Sequence, residues 1–208
     1  MGVSIWPWVL LPGGAAVLAI LRLWRVWLFY YVLGAVGFTL AVVALFHGGV
    51  VEQALAGWTG GAVHFLAAGA GVPTRLFRDS PGSLLVLLIG QGAGWTVLRI
   101  SMACSGLLEE AVFAGLVLFL PGMGLPTKLW SLVWGEAFTF ASNVLRVLLI
   151  VVVVHFAGKS SIYFSHMVLA QLVFFALTIW LYWMVFTRHA LRVAHRKMRA
   201  AGPARGGV

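Results

Sequence analysis

Charged residues and cysteine are scarce in this chain. Only 9% of its 208 residues are charged and 62% are hydrophobic, whereas a soluble globular domain is about a quarter charged and about half apolar. A chain of this composition cannot bury its apolar surface in water, which excludes a cytosolic enzyme, a nucleic-acid reader and a disordered tail. We therefore predict an integral membrane protein, and its length allows one membrane domain without a separate soluble catalytic module.

The single cysteine, Cys104, excludes an internal disulfide framework. Three roles are left for this residue: a small buried side chain, a metal ligand or a nucleophile. His47, His64 and His155 follow no metal-ligand spacing such as His-Glu-x-x-His, so we predict no metal site and no cofactor.

Positive charge is concentrated at the C-terminus. The chain has 14 Lys and Arg against 5 Asp and Glu, and its last 21 residues contain six of the basic ones: Arg188, Arg192, Arg196, Lys197, Arg199 and Arg205. Because they follow directly after an apolar run, the positive-inside rule predicts that residues 188–208 form a cytoplasmic tail. Such a tail contacts anionic lipid, so we predict the bilayer and not nucleic acid as its partner.

Several apolar segments approach the about 20 residues that a helix needs to cross the hydrocarbon core. The clearest candidates for continuous helices are Val26–Phe46, Ser101–Leu120, Leu129–His155 and Ser165–Thr187. Residues 5–21 form a weaker span because prolines and glycines interrupt them, and Val50–Val72 either crosses the membrane or lies in it as a re-entrant or amphipathic piece. We predict an all-α, polytopic transmembrane helix bundle of about five to seven spans, with residues 1–187 as one domain.

The segment from 73 to 100 is the exception to this helical pattern. Pro73, Arg75, Arg78 and Asp79 precede a Ser-Pro-Gly turn, which places residues 73–83 at an aqueous face. Residues 84–100 are apolar but contain three glycines in a Gly-x-Gly-x-Gly pattern. These residues predict either a poor membrane span or a small pair of strands. We therefore expect a small strand element or a re-entrant element on the extracytoplasmic side between 73 and 100.

Three chemically useful side chains fall at a similar depth in the predicted bundle. With a cytoplasmic tail, Cys104, Arg146 and His166 lie 16, 17 and 21 residues from the cytoplasmic ends of their helices. At about 1.5 Å per residue, these separations are about 24, 25 and 31 Å. Ionisable side chains inside a span are costly and are candidates for function. A thiol, a guanidinium and an imidazole are thus predicted near the outer surface.

The surroundings of Arg146 allow a structural and a functional interpretation. Glu136, Thr139, Asn143 and Arg146 follow one another at spacings of 3, 4 and 3, which places them on one helical face. This face is either a buried polar seam between helices or the lining of a pocket. Cys104 also has a structural alternative, because a lone cysteine is typically a small buried hydrophobic residue.

Two neighbouring carboxylates, Glu109 and Glu110, lie on the predicted helix that carries Cys104. At 100° per residue they are about 140° and 240° around a continuous helix from Cys104, so neither shares its face. One of them could neutralise Arg146 or another cation from a neighbouring helix, in a structural role.

At these residues the sequence resembles the exosortase/archaeosortase family of multi-spanning membrane cysteine transpeptidases. The resemblance lies in Ala-Cys-Ser-Gly at 103–106, in Asn-Val-Leu-Arg ending at Arg146, 42 positions after the cysteine, and in His166, 20 positions further. It covers about 99–188, with support from 25–38, and the short chain and its 174–188 ending are most similar to the G-type branch of Gram-positive bacteria. Two features depart from the pattern: longer members have further N-terminal spans, and the Glu109-Glu110 pair does not map onto the general family pattern.

The resemblance implies a nucleophilic Cys104 with Arg146 and His166 as partners, in the plasma membrane and facing outside the cytoplasm. Asn143, Ser105 and Glu110 are secondary candidates for supporting roles. Family substrates are exported proteins with a C-terminal motif, one span and a basic cluster. The implied reaction is peptidase or transpeptidase chemistry of the cysteine hydrolase class, through a thioacyl-enzyme at Cys104.

Other functions are compatible with the same residues. A non-catalytic membrane scaffold would use Arg146 and a glutamate to lock helices together, and a small transporter would use Glu109, Glu110, Glu136 and Arg146 as an ion path. A hydrolase that releases its product to water differs from the transferase only in the acceptor.

Overall fold

The structure is a computed structural model, and it describes residues 6–77, 84–91, 94–100 and 102–187. The chain is mostly helical, and its α-helices are α1 (Trp6–Leu23), α2 (Trp27–Phe46), α3 (Val50–Gly69), α4 (Met102–Ser105), α5 (Leu107–Phe119), α6 (Leu125–Ala157), α7 (Ile162–Phe164) and α8 (Ala170–Tyr182). The strands are β1 (Thr74–Phe77), β2 (Leu85–Gln91) and β3 (Gly94–Ile100).

The last part of the described chain is one continuous helical segment. It begins with a 3-10 turn at Lys159–Ser161 and includes two π-helical turns, Ser165–Leu169 before α8 and Trp183–Thr187 after it. We call Lys159–Thr187 the C-terminal helical segment. The predicted tail at 188–208, with its six basic residues, lies outside the described residues.

Three helical segments are long and apolar enough to cross a membrane: Trp27–Phe46, Leu125–Ala157 and Lys159–Thr187. They coincide with three of the predicted spans and indicate a membrane protein. The segment Val50–Val72, for which the sequence left alternatives, contains the 20-residue helix α3. The total of five to seven spans stays a prediction.

The prediction of one helix from Ser101 to Leu120 is wrong. The chain interrupts it at Gly106, where φ is 89°, and Ser101 itself lies outside the described residues. A residue with this positive φ cannot continue a right-handed helix, and glycine adopts the conformation without the steric cost of a Cβ atom. The short α4 and the 13-residue α5 replace the single predicted helix.

The 74–100 region forms a three-stranded antiparallel sheet in the order β1-β2-β3. In its register Leu76 is opposite Leu87, which is opposite Leu98. Along β3 the side chains alternate, since Thr96 and Leu98 are buried whereas Trp95 and Val97 are about half exposed. The strand alternative for this segment is therefore confirmed, and the period of two explains why it is not a helix.

The buried face of the sheet joins the core that also contains Cys104. This core includes residues of α3 and the C-terminal half of α6, among them Val63 and Val151, both fully buried. Two histidines of these helices form polar contacts with the sheet. His64 Nδ1 lies 2.6 Å from Thr74 Oγ1, and His155 Nδ1 lies 2.6 Å from the Gly90 carbonyl oxygen. The sheet is thus fixed against the end of the bundle where Cys104 lies.

Helix α5 packs between α2 and α6. At Gly115 the backbones approach so closely that a Cβ atom would lie 2.8 Å from the Ala35 carbonyl oxygen. On its other side Phe113 and Val117 join a second core with Leu181 of α8. Helix α6 therefore contacts α5 and the C-terminal helical segment, the two elements that face its polar residues.

Candidate functional site

Cys104 and His166 come together although they are 62 positions apart in the sequence. The Cys104 Sγ atom lies 3.8 Å from His166 Nε2, a contact within the range for a hydrogen bond to sulfur. Cys104 is on α4 and is 4% exposed, whereas His166 lies in the π-helical turn Ser165–Leu169 and is partly exposed. A buried thiol is thereby placed beside an imidazole.

The polar face of α6 borders this pair. Thr139, Asn143 and Arg146 are buried, as expected for one face, and Glu136 is half-buried. Asn143 donates a hydrogen bond from Nδ2 to the Cys104 carbonyl oxygen at 3.0 Å. This bond connects α6 to the backbone of the candidate nucleophile, so Asn143 positions the residue and not its sulfur.

Gly106 determines which residues of α4 and α5 reach α6. A Cβ atom on Gly106 would lie 3.0 Å from Asn143 Nδ2, and its positive φ redirects the chain between the two helices. Because the helix is broken here, Cys104 and Glu109 both contact the same face of α6, which a continuous helix would not allow.

Replacement of Gly106 by alanine is expected to distort this junction. An L-residue in a left-handed conformation costs about 1–2 kcal/mol, and its Cβ atom would press on Asn143. We expect a lower thermal unfolding midpoint in detergent, by roughly a few degrees, and altered alkylation of Cys104. Gly37→Ala is the matched control, since a Cβ atom there meets nothing within 4 Å; equal behaviour of the two variants would contradict this role of Gly106.

Arg146 is held by an ion pair within the bundle. Its Nη1 atom lies 3.2 Å from Glu109 Oε1, and the side chains are 7% and 19% exposed respectively. Its guanidinium carbon lies 5.4 Å from the centre of the Phe174 ring, and Arg146 lines the same cavity as Met167, the residue after His166. Arg146 therefore belongs to the same site as the Cys104–His166 pair, and Glu109 is the carboxylate that neutralises it.

The other secondary candidates have different surroundings. Ser105 Oγ accepts a hydrogen bond from the Leu107 amide at 3.3 Å, and the Ser105 carbonyl accepts one from Thr59 Oγ1 at 3.5 Å. These contacts fix the α4–α5 junction to α3. The described ion pair of Arg146 is with Glu109 and not with Glu110.

Glu109, one of the two carboxylates that the sequence allowed as a partner of Arg146, forms the ion pair, but its position beside the Cys104 site was not predicted because a continuous helix was assumed. On such a helix Glu109 points away from the face of Cys104. The signal that could have revealed the break is Gly106, the last residue of the Ala-Cys-Ser-Gly motif, since glycine commonly marks positions of positive φ.

A cavity of about 610 Å³ lies beside the site, between α5 and the C-terminal helical segment. Its walls are mainly apolar and face outward; Leu172 and Phe175, for example, are each 62% exposed. Arg146 and Glu109 provide the charged part of the lining, and Met167, the residue after His166, lies at the same cavity. An apolar ligand with a hydrogen-bond acceptor would fit this chemistry.

Among the residues that the structure describes, no group of three or more His, Cys, Asp or Glu side chains is arranged to hold a metal ion. In comparisons with known proteins, no protein-family model, curated protein or solved structure matches this chain. The resemblance carried by the Cys104, Arg146 and His166 motifs thus stays a prediction from the sequence.

Proposed function

We propose that this protein is a membrane-embedded cysteine peptidase or transpeptidase. It would cleave the C-terminal sorting signal of exported proteins and transfer the acyl product to an acceptor. The observation that carries the proposal is the 3.8 Å contact between Cys104 Sγ and His166 Nε2. A thiol next to an imidazole is the arrangement by which proteins activate a cysteine nucleophile, and the motif resemblance supports the same assignment.

The first half of the reaction forms a thioester. His166 Nε2 accepts the proton of the Cys104 thiol, because the thiolate and not the thiol is the nucleophile. The sulfur attacks the scissile carbonyl carbon, a C–S bond forms and the carbonyl oxygen becomes an oxyanion. When the C–N bond breaks, His166 returns the proton to the leaving amine, so the products are a thioacyl-enzyme and a free amine.

Arg146 supplies positive charge at the point where negative charge develops. An arginine side chain stays protonated at any physiological pH and carries N–H donors in a fixed fork. Loss of one oxyanion donor typically costs about 3–4 kcal/mol of transition-state stabilisation. The buried location of Arg146, 6% exposed, strengthens this effect because water does not screen its charge.

The second half of the reaction decides between transfer and hydrolysis. His166 deprotonates the acceptor, which attacks the thioester carbon and restores the Cys104 thiol. The apolar, outward-facing cavity next to Arg146 would disfavour water and admit a substrate span laterally from the lipid. In this proposal five to seven segments of the chain span the plasma membrane. The Cys104 site faces outside the cytoplasm, and residues 188–208 form a cytoplasmic tail.

Mass spectrometry of the mature C-terminus of a candidate substrate tests the proposal. The substrate is an exported protein with a C-terminal motif, one span and a basic cluster, produced with and without this protein in the same cells. We expect a shortened C-terminus without the span only when the protein is present. An attached acceptor would identify a transferase and a free carboxylate a hydrolase, whereas an uncut C-terminus would contradict the proposal.

The Arg146–Glu109 ion pair and the buried polar residues Thr139 and Asn143 of α6 also favour a second candidate, a non-catalytic scaffold or small transporter with a polar seam. In that case the thiol would have no special reactivity. Treatment of intact cells with membrane-permeant and impermeant alkylating reagents distinguishes the two, since Cys104 is the only cysteine. Rapid modification supports the enzyme, and an inert thiol supports the scaffold.

A further inference from the structure

We propose that Glu109 is a positioning residue for Arg146 in this reaction, an inference that rests on the proposed function. Its role would be to hold the guanidinium from one side and to balance its charge until the oxyanion forms. Loss of this carboxylate would then make the Cys104 thiol react faster with an alkylating reagent, while substrate processing becomes slower.

The geometry supports a holding role. Glu109 lies in the first turn of α5, where the helix dipole favours a carboxylate. Its Oε1 atom accepts a hydrogen bond from Arg146 Nη1 at 3.2 Å. Both side chains are largely buried, and removing one partner of a buried ion pair leaves the other charge uncompensated. Glu109 therefore restricts the orientation of Arg146.

The ion pair with Glu109 does not use all of the N–H donors of Arg146, so some can bind another acceptor. A guanidinium has five N–H donors, and the described contact with Glu109 involves Nη1. The Nε atom is buried and has no hydrogen-bond partner among the described residues. Since Arg146 and Glu109 both line the cavity, an incoming carbonyl group can meet a guanidinium that is already fixed in place.

The negative charge of Glu109 also offsets the positive charge of Arg146 and so weakens its electrostatic effect on the Cys104 thiol. Arg146 is one helical turn from Asn143, whose side chain donates to the Cys104 carbonyl oxygen, so Arg146 and Cys104 lie along the same part of α6. Replacement of Glu109 by glutamine keeps an acceptor oxygen but removes the compensating negative charge. The thiolate of Cys104 then gains from the full positive charge of Arg146.

The experiment measures two properties of the full-length chain. The first is the rate of Cys104 alkylation by a small maleimide at pH 7 in detergent, followed by intact-protein mass. The second is processing of the candidate substrate in cells. For Glu109→Gln we expect alkylation about threefold faster and processing roughly tenfold slower, because a neutral hydrogen bond holds the guanidinium less firmly.

Two further variants separate positioning from simple structural support. Glu109→Asp keeps the charge, so it is expected to restore the wild-type alkylation rate. Glu52→Gln removes another buried carboxylate, one that accepts the Gly48 amide at 2.5 Å and lies 3.2 Å from His47. Glu52 is about 10 Å along α3 from Thr59, which contacts α4, so this variant should alkylate at the wild-type rate.

Two results would overturn the inference. One is unchanged alkylation and processing in Glu109→Gln. The other is a parallel fall of both rates together with thermal stability, which would mark a structural residue. Failure of the proposed function has a different signature: substrate processing would then persist in Cys104→Ala, whatever Glu109 does to the thiol.

Discussion

Replacement of Cys104 by alanine is expected to abolish processing of the candidate substrate, with a loss of at least about a thousandfold. The reason is chemical, because Cys104 is the one cysteine of the chain and its sulfur lies 3.8 Å from His166 Nε2. The substitution removes a single buried sulfur atom, so the fold should change little. Processing is measured by the mature C-terminal mass of the substrate in cells.

The matched control for this variant is Ser142→Ala. Ser142 is also buried, and its hydroxyl donates to the Phe138 carbonyl at 2.8 Å within α6. Loss of this one oxygen should leave processing close to wild type. Substrate that is still cut normally by Cys104→Ala would refute the nucleophile and with it the enzyme assignment.

The second large effect is expected for Arg146→Lys, with a roughly hundredfold slower processing. Lysine keeps the charge, but its ammonium group cannot contact Glu109 and a carbonyl oxygen with the fixed fork of a guanidinium. The same assay measures the effect, and Arg22→Lys at the end of α1 serves as the control for a conservative exchange.

Near-normal processing by Arg146→Lys would show that positive charge alone is sufficient. The proposed need for the guanidinium fork and the proposed positioning role of Glu109 would then both be refuted. Cys104 could still be the nucleophile. A loss in Arg22→Lys of the same size as in Arg146→Lys would point instead to a general effect on the membrane protein.

Composition and periodicity were sufficient to predict the membrane character and three long apolar helices. The segments Val26–Phe46, Leu129–His155 and Ser165–Thr187 correspond to α2, α6 and the C-terminal helical segment. Such spans are predictable because the bilayer fixes both their length and their composition. The prediction that Thr139, Asn143 and Arg146 share one face of α6 agrees with the structure, since all three are buried.

The breaks in the helices were harder to predict. Helical periodicity places Glu109 away from Cys104, and only the positive φ of Gly106 brings both to α6. The π-helical turn around His166 has no sequence signature in the apolar pattern, although such turns frequently occur at functional sites. Tertiary contacts decide these local conformations, and a single sequence does not reveal them.

The sheet illustrates an ambiguity of a different kind. Residues 84–100 are apolar enough for a poor span, and glycines fit either alternative. What selects the strands is the pairing of β2 with β1 and β3 and the burial of one face against α3 and α6. These partners are distant in sequence, so local periodicity left both structures open.

The central claim is that the imidazole of His166 activates the thiol of Cys104. The most direct measurement is the rate of Cys104 alkylation at pH 7 in wild type, in His166→Ala and in His47→Ala, a control whose histidine side chain is 61% exposed. Removal of the adjacent base should slow alkylation about tenfold in His166→Ala only. Equal rates in all three proteins would contradict the account, because Cys104 would then be an ordinary buried thiol.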